Sequence, residues 1–132
     1  MSTGGGGGGQ PSVTLTADGR GQFVTQGSVN GAPMRFLVDT GATSVVVYAG
    51  DAVRAGIDYQ GRGEVGMIST ANGVARAWRV SGVAVRLGEI SFHDVDVTVS
   101  EAPMPFALLG MTFLNRVEMK RDGDTMTLKK RY

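Results

Sequence analysis

From Val13 onward, apolar residues recur at every second position in short runs, and each run is closed by Gly, Asn or Asp. That period belongs to half-buried β-strands rather than to helices. Val13 and Leu15 alternate with Thr14 and Thr16 ahead of an Asp18-Gly19 turn. Phe23 to Val29 predicts a second strand, closed by Asn30-Gly31, the strongest short hairpin signal. Met34 to Val38 returns. The run Val45-Val46-Val47-Tyr48 is too short and too branched for a helix. Glu64 to Trp78 predicts a long hairpin with its tip near Ala71-Asn72-Gly73, and Val80 to Leu87 with Ile90 to Val99 a further pair around Gly88-Glu89. In the last strand Val95, Val97 and Val99 alternate with Asp96, Thr98 and Ser100, so one face is expected to be wet. Pro103 and Pro105 exclude a central strand there, because each removes a ladder donor. Val117 to Met119 and Thr125 to Leu128 predict a closing hairpin around Asp122-Gly123-Asp124. Helical signals are few: one turn over Gly50 to Ala55 that Gly56 stops, and a short C-terminal helix over Gly110 to Asn115. The expected fold is all-β, a small closed or partly closed β-barrel with one short C-terminal helix.

Composition narrows the classes. The chain has 132 residues, 42% hydrophobic and 19% charged, which fits one soluble globular domain. A formal net charge of +1 implies no general attraction to nucleic acid or anionic lipid. The basic end Lys129-Lys130-Arg131 reads as a solvated terminus. With no Cys there is no disulfide, zinc-thiolate site or thiol nucleophile. No apolar stretch approaches a membrane span of roughly twenty residues, so no direct membrane contact by this domain is expected. Met1-Ser2-Thr3 runs into Gly4 to Gly9, and residues 1–11 read as a flexible Gly-rich linker ahead of a folded domain at 12–132. Two origins stay open for it: a natural tether with an anchor upstream, or a cloning addition.

The candidate chemistry sits at Asp39-Thr40-Gly41, directly behind Phe36-Leu37-Val38 and ahead of Ala42-Thr43-Ser44 and Val45-Val46-Val47. A lone carboxylate at the end of a buried strand is costly unless a charge, a proton or hydrogen bonds compensate. No Lys or Arg follows within ten residues, and the nearest cation before it is Arg35. Gly41 permits a sharp turn or a close approach, and the Thr40 hydroxyl can donate to a neighbouring oxygen. Such a carboxylate on a tight loop points to catalysis more than to stability. On the tripeptide alone an ordinary turn competes evenly. Far downstream, Ala107-Leu108-Leu109-Gly110-Met111-Thr112-Phe113-Leu114 ends a buried strand and opens a helical turn, and this second feature shifts the balance.

Taken in order, Phe36 to Ser44, Ser69-Thr70-Ala71-Asn72-Gly73 and Leu108 to Leu114 resemble the retropepsin-like aspartic proteases, single-domain relatives of pepsin. The resemblance covers about Gln22 to Leu128, and the last two segments are most similar to bacterial members, often tethered to the cell envelope. It implies a barrel of the retropepsin type, with Asp39 as the catalytic acid and Thr40, Gly41, Ala42 and Thr43 supporting the loop. Thr40 would bond across to a partner loop, and Gly41 would lie where a Cβ crowds that partner. Ser69, Thr70, Ala71, Asn72, Gly73 and Val74 would form a substrate-binding flap, although a plain hairpin turn is an equal reading of Asn72-Gly73. Leu108, Leu109 and Gly110 would pack behind the loop. Trp78 reads as a barrel core residue more than as an anchor of the flap base.

Peptide hydrolysis by carboxylates needs one acid to take a proton from water and another to give one to the carbonyl oxygen. Of eight Asp, only Asp39 is followed by Thr or Ser and then Gly; Asp18-Gly19 and Asp122-Gly123 are ordinary turns. One half-site per chain implies a two-fold homodimer acting on protein or peptide substrate. No cofactor and no metal are expected: His93 stands alone beside Asp94, and the seven Met read as gap-fillers. No phosphate-loop spacing is present. The periplasm or cell envelope is the expected location, with the cytoplasm as the other option. The alternative function is a catalytically inactive peptide-binding or dimerisation module on the same fold. A third reading is an unrelated small barrel with a chance Asp-Thr-Gly.

Overall fold

The computed structural model describes residues 10–70 and 72–131. Most of the Gly-rich segment and the expected hairpin tip at Ala71 therefore lie outside the described residues. Pro11, assigned by composition to the linker, already accepts a hydrogen bond from the Lys130 N–H at 2.9 Å.

Strands β1 (Ser12–Thr16), β2 (Val24–Val29), β3 (Ala32–Val38) and β4 (Val45–Tyr48) are followed by helices α1 (Ala49–Arg54) and α2 (Tyr59–Arg62). Then come β5 (Glu64–Thr70), β6 (Gly73–Leu87), β7 (Ile90–Ser100), β8 (Ala107–Leu109), helix α3 (Met111–Leu114), β9 (Val117–Asp122) and β10 (Thr125–Lys130). Six strands close a barrel in the order β2-β3-β8-β4-β7-β6, and Ser28 and Val29 of β2 pair with Arg86 and Val85 of β6 to shut it. Closure gives each barrel strand a partner on both sides, although β2 meets β6 only at Ser28 and Val29. The seventh strand, β5, hangs outside the ring as the partner of the first half of β6. A separate three-stranded sheet, β1-β10-β9, carries both ends of the domain.

Local chemistry accounts for most boundaries. Asn30 and Gly31 both take positive φ, 49° and 84°, as the two-residue turn between β2 and β3 requires. Asp18 accepts N–H bonds from Arg20 at 2.8 Å and Gln22 at 3.0 Å, which tightens its turn and lowers its pKa. The two predicted strands around Val80 are one strand of 15 residues. The break expected between Trp78 and Val80 is absent, since Trp78, Arg79 and Val80 pair without interruption with Val99, Thr98 and Val97. The irregularity comes just after it as a bulge, with register shifts between Val80 and Val83 and between Val83 and Val85. The helical turn expected at Gly50 to Ala55 is α1. Helix α2 was not expected; Asp58 caps it by accepting from the Gly61 N–H at 3.2 Å.

The alternating valines fill the interior. Val29, Phe36, Val45, Val47, Val85, Leu87, Val95, Val97, Val99 and Leu109 are all fully buried, each contributing about 1.5–3 kcal/mol relative to exposure. One polar position departs from the expected wet face of β7. Ser100 is fully buried, because its hydroxyl both donates to the Ala102 carbonyl and accepts from the Ala102 N–H, each at 3.2 Å. Burial is tolerated since neither hydrogen-bonding role is left open.

Candidate active site

Two parallel pairings, β3 with β8 and β4 with β7, bring the Asp39 loop to the middle of the barrel wall. Leu37 lies beside Leu108 and Val38 beside Leu109, and the Asp39 N–H donates to the Leu109 carbonyl at 3.1 Å. Asp39, the residue directly after β3, is thus the last one before the turn that is tied to β8. The chain then turns back: the Ala42 N–H donates to the Asp39 carbonyl at 3.1 Å, and the Gly41 N–H donates to Asp39 Oδ1 at 2.9 Å. That second bond orients the carboxylate. A Cβ at Gly41 would sit 3.2 Å from the same oxygen.

The far side of the loop is held by the segment after β8. The Met111 N–H donates to the Ala42 carbonyl at 2.9 Å. The Thr112 hydroxyl accepts from the Val45 N–H at 3.0 Å and donates to the Asp96 carbonyl at 2.8 Å, bridging the loop, α3 and β7. Thr43 was expected to give such support. It is exposed in the cleft wall instead, with no side-chain hydrogen bond among the described residues, and Thr112 takes the role. Replacing Thr112 by Val keeps the shape but orphans the Val45 N–H and the Asp96 carbonyl. We expect a loss of about 1–3 kcal/mol in urea unfolding, largely restored by Thr112→Ser.

Asp39 is half-buried at the edge of a cleft of about 550 Å³. The carboxylate is not sealed in the interior, and this is how it avoids the penalty that its position behind Phe36-Leu37-Val38 suggests. None of the ion pairs among the described residues includes it. Arg35, the cation nearest in sequence, stacks on the Phe106 ring at 5.1 Å. Among the described residues Asp39 is the sole ionisable side chain lining the cleft, and they contain no group of three His, Cys, Asp or Glu able to hold a metal. His93 is exposed.

The residues singled out in the sequence separate in space. Asp39, Gly41, Ala42 and Thr43 line the cleft together with Ser69 and Thr70 of β5. Thr40 is exposed and turns to a second recess on the other side of Asp39, beside Phe23, Arg121 and Met126. Asn72, Gly73 and Val74 are not in the cleft wall, and Val74 is 67% exposed. Among the described residues of this hairpin, only those of β5 line the cleft. The trio Leu108, Leu109 and Gly110 was expected to pack entirely from behind, but strand alternation divides it. Leu109 is fully buried in the core, whereas Leu108 is a half-buried wall of the cleft. Gly110 lies against the loop backbone. Trp78 is buried at the hairpin base, its ring edge-on to Tyr59 at 4.9 Å.

Sequence reasoning missed Ser44, Val46, Ile68, Thr98 and the Met104-Pro105-Phe106 segment, all of which line the cleft. A signal existed for the last: large apolar residues in a Pro-punctuated stretch with no strand to bury them. Nothing local marks Thr98, which reads as one more polar position on an alternating strand.

Comparison with known proteins fits this arrangement. A family model described as gag-polyprotein putative aspartyl protease matches residues 25–116, which run from β2 past α3. An uncharacterized protein in the cobV 5′ region of Sinorhizobium sp is 34% identical over 112 residues, covering 84% of this chain and 48% of that protein. Uncharacterized protein RP867 of Rickettsia prowazekii is 29% identical over 117 residues, covering 88% of this chain and 50% of that one. The chain therefore spans about half the length of the curated relatives it matches. In fold it is similar to the crystal structure of a retropepsin-like aspartic protease from Rickettsia conorii, with a TM-score of 0.73, 24% identity and 91% of each chain covered. With a family match across most of the barrel and the same architecture in a solved relative, this chain belongs to the gag-polyprotein putative aspartyl proteases, a retropepsin-like family.

Proposed function

We propose that the chain is one half of an aspartic endopeptidase, active as a two-fold homodimer in which the Asp39 loops of two copies meet. The observation that carries this reading is the isolation of Asp39, a carboxylate held at the edge of a cleft whose other lining residues are uncharged. A single carboxyl cannot take a proton from water and at the same moment give one to the substrate carbonyl. Two carboxyls facing each other share one proton and divide those tasks. Water is then the nucleophile: its oxygen bonds to the carbonyl carbon as the carbonyl π bond opens, one water proton passes to the ionised carboxylate, and the protonated carboxyl gives its proton to the carbonyl oxygen. The C–N bond of the hydrated intermediate then breaks, the amine taking a proton from the dyad, which regains one from a hydroxyl of the intermediate. Thr40, exposed beside Asp39, is placed by this reading at the two-fold axis, and β5 is the strand along which an extended peptide would bind.

The test is incubation with a mixed peptide library, with and without a statine-type inhibitor that mimics the hydrated carbonyl. Cleavage that the inhibitor blocks is expected; cleavage indifferent to it, or none, counts against the proposal. The rate should follow a bell-shaped pH profile, because the dyad works only while it holds one proton. Activity per chain should also fall on dilution below the dimer's dissociation constant, and activity in a species that sediments as a monomer would mean that one Asp39 suffices.

One observation favours a second reading, a non-catalytic peptide-binding module. β10 pairs with β1 on one side and β9 on the other within the same chain, so this terminal strand has no free edge with which to close a dimer as the viral members do. Equilibrium sedimentation separates the two, since a strict monomer at high concentration cannot assemble the dyad. Location at the cell envelope, with the Gly-rich segment as a tether, remains part of the same proposal.

A further inference from the structure

Ser44, at the end of the Asp39 loop, and Thr98, on β7, face each other in the cleft wall with their hydroxyl oxygens 2.7 Å apart. Both are half-buried, and the cleft they line also holds the apolar Val46, Ile68, Phe106 and Leu108 and the hydroxyls of Thr43, Ser69 and Thr70. Two hydroxyls carry two protons, and the bond between them uses one. Neither side chain has another hydrogen-bond partner among the described residues. One O–H and several lone pairs are therefore left for whatever fills the cleft.

We propose, on the reading that the cleft binds a peptide, that the Ser44–Thr98 pair determines specificity by selecting a carboxamide side chain, Asn or Gln, at one subsite of the cleft. The alternatives are disfavoured for separate reasons. An aliphatic side chain covers the pair and removes the free O–H from water without replacing its bond, and a site built to hydrogen-bond rejects a group that cannot. A carboxylate enters a cleft lined by Asp39 and by no cation; Arg79, opposite Thr98 on β6, lines the adjoining recess together with Glu64. An ammonium group sheds its water for two hydroxyl oxygens, too little to compensate. A carboxamide supplies an acceptor for the O–H and donors for the lone pairs, and carries no charge.

The experiment is a positional scan around a cleavable bond with Asn, Leu and Asp, three side chains of similar size, on the unmodified protein and on Ser44→Ala/Thr98→Val. At one position on a given side of the bond we expect kcat/KM for Asn to exceed that for Leu about tenfold, with Asp lowest. In the double variant the Asn to Leu ratio should fall to about one or below. Because the readout is a ratio within each protein, a general loss of activity does not imitate it. If the double variant does not fold, Ser44→Ala alone should lower the ratio. A ratio that is equal in both proteins, or no position favouring Asn, overturns the proposal. The same peptides titrated by fluorescence anisotropy onto Asp39→Asn protein separate this inference from the enzymatic one. Asn-selective binding without cleavage by the unmodified protein upholds the subsite and sinks the peptidase. Binding that is unselective, or absent, sinks the subsite.

Discussion

Exchanging Asp39 for Asn should reduce peptide cleavage by at least about a thousandfold and leave the folded domain in place. The size follows from the chemistry: proton transfer by a positioned acid or base contributes about 10²–10⁴-fold, and the exchange removes both roles from both copies of a dimer. The fold should survive because Asn retains a side-chain oxygen to accept the Gly41 N–H bond of 2.9 Å, and no cation is left without a partner. A half-buried polar exchange of this kind changes stability by about 0.5 kcal/mol or less. The comparison is kcat/KM on a peptide substrate alongside thermal melts of the two proteins. Cleavage within tenfold of the unmodified protein would show that the carboxylate does not do the chemistry. A collapsed melting temperature would show that it serves stability instead.

The largest effect on stability is expected at Gly110. Its backbone, at φ −95° and ψ −168°, is open to any residue, so the constraint is space rather than conformation. A Cβ there would meet the Ser44 carbonyl oxygen, lie 2.5 Å from the Ser44 carbonyl carbon and lie 2.8 Å from the Ala42 carbonyl oxygen. All three are main-chain atoms of the loop that Met111, Thr112 and Leu109 hold in place, so no side chain can swing aside. Relief requires β8 and the Asp39 loop to separate, breaking those bonds. Gly110→Ala should cost roughly 3–5 kcal/mol, a large share of the stability of about 5–15 kcal/mol usual for such a domain. The melting temperature should fall by about 10–20 °C. Activity should fall further than the folded fraction accounts for, because the surviving molecules hold Asp39 off its position. A variant melting within a few degrees of the parent would mean that the loop and β8 are not in the contact described.

Both variants act on positions that stand out in the sequence, and the reasons differ. Asp39 is conspicuous because a carboxylate follows a run of apolar strand residues. Gly110 is conspicuous because it ends Ala107-Leu108-Leu109 and opens a helical turn. Neither signal says that the two segments touch. The strands themselves are legible because the period of two is written locally: Val95, Val97 and Val99 face inward as their spacing predicts. Asn30-Gly31 turns as its dipeptide predicts. The misreadings are also local. A hairpin ending at Trp78 and a new strand from Val80 are expected, and only the unbroken pairing of Trp78, Arg79 and Val80 with β7 reveals one continuous strand with a bulge after Val80. Ser100 has the polarity of a surface residue, and its own bonds to Ala102 let it be buried.

By itself, then, the chain's order of residues determined which stretches are strands, where the tight turns fall, and that one acidic loop is unlike the others. Those properties depend on neighbours a few positions away, through backbone sterics and the alternation of side chains. The six-strand closure, the two parallel pairings, the bridge from Thr112 to Val45 and the Ser44–Thr98 pair were decided by the tertiary structure alone. Their partners lie 67 and 54 residues apart in the two side-chain cases. No local preference encodes such contacts; they arise only when burying the valine faces of many strands at once leaves a single way for the barrel to close.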